Sequence, residues 1–142
     1  MRSTNEIMSK DLTYCKPDDT LINCAKKMSE KNVGAIPVCQ ENLELIGMVT
    51  DRDLVLRGYA KDKPGTTKIN EVMSDHLVSV EPDTSVQQAS ALMAEHQIRR
   101  LPVVKGSKLV GIVALGDLAQ EEQSNMAAGR ALEEISEQDH LH

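Results

Sequence analysis

The chain repeats itself, and the repeat sets its architecture. Displaced by 65 residues, Met8-Ser9 falls on Met73-Ser74, Leu12 on Leu77, Pro17-Asp18 on Pro82-Asp83, Met28 on Met93, Glu30 on Glu95 and Pro37-Val38 on Pro102-Val103. A one-residue deletion in the following turn shortens the offset to 64, so that Leu45, Gly47, Val49 and Asp53-Leu54 meet Leu109, Gly111, Val113 and Asp117-Leu118. Self-similarity at a fixed period means two copies of one supersecondary unit. A copy this short buries too little apolar surface to stand alone, so the two are expected to pack face to face.

Both copies read alike. An extended segment (Leu12–Cys15; Leu77–Val80) runs into Pro-Asp and a Ser/Thr cap, a helix-start signal. Leu21, Cys24, Ala25 and Met28, and in the second copy Val86, Ala89, Ser90 and Met93, recur at the spacing of one apolar helix stripe. Two strands follow in each copy, Ala35–Cys39 with Leu45–Thr50 and Leu101–Lys105 with Leu109–Ala114, each pair joined by a polar turn (Gln40-Glu41-Asn42; Gly106-Ser107). A second helix then begins near Asp53 or Asp117. The fold class is α+β (α/β layered), two β-α-β-β-α repeats with pseudo-two-fold symmetry. The expected divisions are repeat 1 over 5–58, a linker over 59–71, repeat 2 over 72–120 and an acidic C-terminal helix or tail over 121–142. In that tail Ala127, Ala131, Leu132 and Ile135 form an apolar stripe.

Composition removes several classes of function. Phe and Trp are absent and only Tyr14 and Tyr59 carry rings, so the core is aliphatic and there are no aromatic platforms for single-stranded nucleic acid. The net charge of −6 gathers in the tail, where Glu121, Glu122, Glu133, Glu134, Glu137 and Asp139 face Arg130 alone. No broad basic face is left to neutralise a duplex, so direct nucleic-acid binding is not expected. Cys15, Cys24 and Cys39 are an odd number without CxxC spacing, which reads as buried thiols in a reducing compartment rather than a disulfide framework or zinc site. No apolar run has the length of a membrane span and Met1–Lys10 lacks a signal-peptide core, so a cytoplasmic protein is expected. The histidines, His76, His96, His140 and His142, form no triad or metal motif. Asp51 and Asp53 flank Arg52 without a third carboxylate nearby, which makes poor cation coordination. Nothing nominates a nucleophile or general base, so no catalytic residue, no metal and no cofactor are expected.

At the end of the first strand pair, Gly47 permits close backbone approach, Thr50 offers a hydroxyl and Asp53 a carboxylate near a helix start. A carboxylate accepts two hydrogen bonds from a ribose diol, and the N–H groups of a helix start suit a phosphate. The same Thr50 and Asp53 are equally suited to cap the helix, and the residues alone leave both roles open. Arg99 and Arg100 sit just before a strand in an otherwise non-basic half. They are either solvated arginines, one pairing with Glu95, or a planar fork for phosphate.

Val33-Gly34-Ala35-Ile36-Pro37-Val38, Gly47-Met48-Val49-Thr50-Asp51-Arg52-Asp53-Leu54, Ile98-Arg99-Arg100-Leu101-Pro102-Val103 and Gly111-Ile112-Val113-Ala114-Leu115-Gly116-Asp117-Leu118 together resemble the tandem cystathionine-β-synthase (CBS) domain module of the stand-alone bacterial or archaeal type. The resemblance spans roughly residues 5–120. It implies a pseudo-two-fold disc that dimerises, with two clefts that bind adenosyl ligands and report occupancy to a protein effector. It further implies that Thr50 and Asp53 hold the ligand, that Arg52 flanks its phosphates, and that Met48, Val78 and Pro102 line the adenine. At least one of Arg99 and Arg100 would hold phosphate, with Arg100 favoured. The weaker second cleft would use Asp117, Ile112, Thr13, Ala35 and Pro37. There Ala114 replaces the hydroxyl of Thr50, and Gly34 and Ala35 stand where the first cleft has arginines, which removes the charge-assisted bonds to phosphate. The implied function is a non-enzymatic regulatory module for an adenine nucleotide such as AMP or ATP. The alternatives are a structural dimerisation module with vestigial clefts, or a site for S-adenosylmethionine or NAD.

Overall fold

The computed structural model describes residues 2–74, 77–121 and 135. In chain order the elements are α1 (Thr4–Ile7), α2 (Leu21–Lys31), β1 (Ala35–Cys39), β2 (Leu45–Thr50), α3 (Asp51–Asp53), α4 (Val86–His96), β3 (Arg100–Lys105), β4 (Lys108–Ala114) and α5 (Leu115–Glu121). They fall into two compact units, the first Thr13–Leu77 and the second Met1–Leu12 together with Val78–His142. The boundaries of the sequence repeat and of the compact units therefore differ. The stretch that opens repeat 1 belongs to the second unit, and the stretch that opens repeat 2 belongs to the first.

In the first unit Thr20 caps α2, its side chain accepting from Asn23 N at 3.1 Å. Leu21, Cys24 and Met28 are buried. Ala25, expected on the same stripe, is exposed, so the buried face is narrower than the apolar pattern. Asn32, in the left-handed region at φ 54°, ends the helix. Strands β1 and β2 pair antiparallel, with Ala35 opposite Thr50, Ile36 opposite Val49 and Pro37 opposite Met48, and a bulge between Val38 and Cys39. The strand expected over Leu12–Cys15 shrinks to one parallel bridge, Cys15 to Val38. Pro17, two residues further on, has no N–H to extend a ladder and stands in a turn. The same holds for Leu77–Val80, where Val80 makes one parallel bridge to Val103 ahead of Pro82.

Two helix starts also move upstream. The first-unit helix begins at Asp51 rather than Asp53, and the second-unit helix at Leu115 rather than Asp117. After α3 the chain widens into π-type turns over Leu54–Gly58, with Tyr59 N–H reaching Leu54 O, and closes in a tight turn over Tyr59–Lys61. The segment read as a linker is packed. Ile69 N donates to Asp19 O at 2.7 Å, Ile69 and Val72 are fully buried, and Arg57 Nη1 donates to Val72 O at 3.1 Å and to Met73 O at 3.0 Å. The Lys, Pro and Gly content of 61–65 signals a connection, but Ile69 within it and Val72 just after it anchor it to the core.

The second unit repeats the plan. Ser85 caps α4 by accepting from Gln88 N at 3.1 Å, and Gln97 at φ 56° ends it. Ser90 is buried, its hydroxyl donating to Val86 O at 2.8 Å. Strands β3 and β4 pair antiparallel, Arg100 opposite Ala114 and Pro102 opposite Ile112. Helix α1 docks through buried Thr4, whose N–H and hydroxyl both donate to Thr84 O at 2.7 Å. Of the expected tail stripe, Ala127, Ala131 and Leu132 lie outside the described residues. Ile135 is buried in a core with Val86, Met93, Leu101, Val103, Val113 and Leu118.

The repeated Met-Ser pairs cover one glycine in each unit. Ser74 exchanges backbone hydrogen bonds with Met48 at 3.0 and 2.9 Å, and Ser9 does so with Ile112 at 2.8 and 3.0 Å. A Cβ on Gly47 would lie 2.7 Å from Ser74 O and 3.1 Å from Met73 Sδ. The close approach that Gly47 permits is therefore made by the chain itself. Gly47→Ala is expected to lower the unfolding free energy by about 1–3 kcal/mol, the usual cost of overpacking. Gly116→Ala, with nothing within 4 Å of the new Cβ, should instead gain roughly 0.5–1 kcal/mol. Urea denaturation of both variants checks the contrast.

Candidate functional site

Thr50 and Ala114 stand at the carboxy-terminal ends of β2 and β4, each followed directly by a helix. In the first unit Thr50 is the N-cap of α3. Its Oγ1 accepts from Asp53 N at 3.0 Å, and Asp53 Oδ2 accepts from Thr50 N at 2.9 Å. This reciprocal capping box fixes both side chains at the mouth of a helix start. The capping role is thus realised, and it does not exhaust the carboxylate, which has about four lone-pair sites in all. Asp51 N donates to Gly34 O at 2.9 Å, and its Oδ1 accepts from Arg52 N at 2.8 Å. A Cβ on Gly34 would stand 3.1 Å from Asp51 Oδ2, so the glycine leaves room for that carboxylate. Arg52 is exposed, and Met48, Thr13 and Ala35 are half-buried. Pro37 is buried opposite Met48.

The second unit reproduces half of this device. Asp117 Oδ2 accepts from Ala114 N at 2.7 Å, but Ala114 has no hydroxyl to return the bond. Leu115 N donates to Arg99 O at 2.9 Å, the counterpart of Asp51 to Gly34. Arg99 is exposed and Arg100 half-buried, with Arg100 across the strand pair from Ala114. Pro102 is buried and pairs with Ile112, and Val78 packs against the core of this unit. Arg100 Nε is buried with no hydrogen-bond partner. Burial lowers the pKa of the Arg100 guanidinium, while the carboxylates of Asp117 and Asp11 work against that shift. Burial raises the Asp117 carboxyl above the usual range, partly offset by the Ala114 N–H and by Arg100.

The residues assigned to the stronger cleft thus come from both units. Thr50, Asp53, Arg52 and Met48 are carried by the first, and Val78, Arg99, Arg100 and Pro102 by the second. For the weaker cleft, Asp117 and Ile112 lie in the second unit and Thr13, Ala35 and Pro37 in the first. Asp11 was not foreseen as a charge acting on Arg100. No motif marks it, because its segment leaves its own repeat and is tied into the second unit by backbone bonds such as Ser9 with Ile112 and Thr4 with Thr84. His96 lies 3.8 Å from the exposed Glu95 carboxylate, while His76, His140 and His142 fall outside the described residues. Among the described residues no three His, Cys, Asp or Glu side chains are grouped to hold a metal ion, and no helix is long and apolar enough to cross a membrane.

Comparison with known proteins bears on this geometry. The family described as CBS domain matches residues 5–58 and 69–124. The uncharacterized protein YlbB of Bacillus subtilis is 53% identical over 140 residues, covering 98% of this chain and 95% of the relative. The crystal structure of Hypoxic Response Protein I, which has two coordinated zinc ions, superposes with a TM-score of 0.77 at 35% identity, covering 84% of this chain and 98% of that one. The structure of CBSX2 in complex with AMP gives a TM-score of 0.78 at 26% identity, covering 87% and 97%.

The raised Asp117 pKa has a sign that can be tested. The folded state holds this proton more tightly than the unfolded chain, so the group's contribution to stability is full below the ordinary carboxylate pKa. It is lost as pH climbs through the raised value. Asp117→Asn keeps an oxygen for the Ala114 N–H and removes the ionisation. Its unfolding free energy should therefore fall less than that of the parent between about pH 4 and pH 7, measured by urea titration.

Proposed function

Because the chain belongs to the CBS domain family, we propose that it is a non-enzymatic regulatory module that binds an adenine nucleotide and signals occupancy to a protein effector. The observation that carries this reading is the inequality of the two strand ends. Thr50 and Asp53 form a complete hydroxyl-carboxylate pair at a helix start, and Ala114 and Asp117 form half of one. Asp53 is suited to the ribose diol, and the hydroxyl and N–H groups of that helix start to phosphate. Arg100, with its unpartnered Nε, supplies a guanidinium suited to phosphate. The AMP held by the CBSX2 relative supports an adenosyl ligand of this kind. Signalling requires that the ligand bind two arrangements of the module unequally.

Homodimerisation belongs to the same proposal. Ile22, Val55, Leu56 and Tyr59 are 49%, 54%, 44% and 84% exposed, apolar surface that a second copy would cover. Light scattering at micromolar concentration should return a dimer mass.

Calorimetric titration with AMP should give one high-affinity site per chain, and two equal sites would contradict the asymmetry. Asp53→Asn keeps an amide oxygen to accept from Thr50 N yet should weaken AMP binding by ~1.5–3 kcal/mol, the range for a hydrogen bond to a charged group. Arg100→Ala should weaken AMP more than adenosine, which has no phosphate to hold. An Asp53→Asn chain of lower stability but parental affinity would make Asp53 a cap alone. Absence of heat with AMP, ATP, S-adenosylmethionine and NAD would leave a structural dimerisation module.

A further inference from the structure

Past Asp53 the first unit carries a side chain outside the proposed nucleotide site that is nonetheless tied to it. The chain there runs through the π-type turns of Leu54–Gly58, a rare geometry that recurs at functional sites. Arg57 lies on those turns. Its Nη1 donates to Val72 O at 3.1 Å and to Met73 O at 3.0 Å, one guanidinium nitrogen with an N–H for each of two successive carbonyls. Gly58, the next residue, is buried, and a Cβ there would stand 3.1 Å from Leu21 Cδ1. The stretch is thus seated against α2 at Gly58 and bridged by Arg57 to the returning chain.

Those two carbonyls belong to the peptide that closes the sheet. Val72 N and Met73 N both donate to Ile69 O, at 3.0 and 2.9 Å, which winds a tight turn after the buried Ile69. Ser74 follows directly and exchanges both backbone bonds with Met48. From Met48 the strand runs through Val49 to Thr50, whose hydroxyl caps the stretch that carries Arg57. The contacts close a circuit inside the first unit: Thr50 and Asp53, the turns to Arg57, the carbonyls of Val72 and Met73, then Ser74, Met48 and back to Thr50. Within it the Arg57 guanidinium joins the outgoing helical stretch to the peptide beside β2.

The second repeat differs at this position. The offset that sets Asp53 on Asp117 sets Arg57 on Glu121, and an ionised carboxylate has no N–H to offer a carbonyl. The guanidinium clasp therefore goes with the complete hydroxyl-carboxylate pair. The repeat with half a pair has neither the Thr nor the Arg.

We propose that Arg57 is a positioning residue for the nucleotide site, clasping the helix start that carries Thr50 and Asp53 to the peptide that holds Met48. This role rests on the nucleotide reading above and deepens it. Arg57 acts through those groups rather than on the phosphate. Its two bonds hold the ribose side of the site, at Asp53, in register with the base side, at Met48, before a ligand arrives. Less freedom is then left to lose on binding. By linkage, a ligand that needs the clasped arrangement tightens the clasp in return.

The test compares Arg57→Met and Arg57→Lys with the parental full chain. The first keeps an unbranched side chain without donors, and the second keeps N–H groups. AMP and adenosine are titrated calorimetrically in about 0.15 M salt, which screens an exposed charge beyond about 8 Å. Arg57→Met should weaken both ligands by the same factor, about two- to thirtyfold, the span for a residue that acts on a site through its neighbours. Arg100→Ala, by contrast, should discriminate between the two. Amide exchange followed by NMR without ligand gives a second readout. The Met48 and Ser74 amides should exchange faster in Arg57→Met than in the parent, while the Ser9 and Ile112 amides of the second unit keep their parental rates. Arg57→Lys should lie nearer the parent on both. A loss confined to AMP would make Arg57 a phosphate ligand and overturn the positioning role, as would parental affinity or parental exchange in Arg57→Met. A parent that binds neither ligand instead overturns the nucleotide reading, and the exchange rates alone then decide the clasp.

Discussion

Each two-stranded sheet is completed by a short peptide that lies flat on a glycine. Ser74 on Met48 and Ser9 on Ile112 bond through backbone N–H and C=O groups in both directions. Gly47 and Gly111 are the positions where a side chain would hold those peptides off. A pair of strands alone is marginal in water. The added peptide and the single parallel bridge on the other flank give each sheet further partners, and α2 or α4 covers one face. The helix starts at Thr50 and Ala114 inherit their positions from sheets built this way.

At the first of those helix starts, cap and candidate ligand group are the same atoms. Thr50 and Asp53 satisfy two backbone donors that would otherwise be orphaned, and in doing so lose the rotamer freedom a ligand would have to freeze. The second start retains the carboxylate but lacks the hydroxyl, and a half-buried guanidinium sits across the strands from Ala114. The two copies have therefore kept the element that folds them and diverged in the chemistry they present. This pattern fits a duplicated unit in which one end specialised.

The paired strands and both long helices were legible because they rest on local signals: apolar period, Ser/Thr caps and polar turns. The CBS resemblance was legible because four motifs recur in order. Three features were not. The opening strands failed because a Pro two residues on leaves one bridge in place of a ladder, a tertiary outcome that an extended stretch does not announce. The linker hid Ile69 behind a run of Lys, Pro and Gly. The influence of Asp11 on Arg100 depends on a segment that leaves its own repeat, and no pattern within the repeat encodes that. At the site, residue types came through plainly. The capping geometry needed coordinates, because Thr and Asp three residues apart suit a cap and a ligand alike.

That departure has a consequence for how the chain folds as it is made. Residues 13–77 emerge from the ribosome as a complete unit, with Met73-Ser74 arriving last to close the sheet. The first dozen residues emerge before them and have nothing to pair with. Their partners, Thr84 and Ile112, follow roughly eighty to a hundred residues later, a long loop to close for a chain this size. That segment therefore waits for its partners through much of the synthesis of these residues. Its composition suits the wait, since Met1–Lys10 mixes charge and small polar groups with only a few apolar side chains.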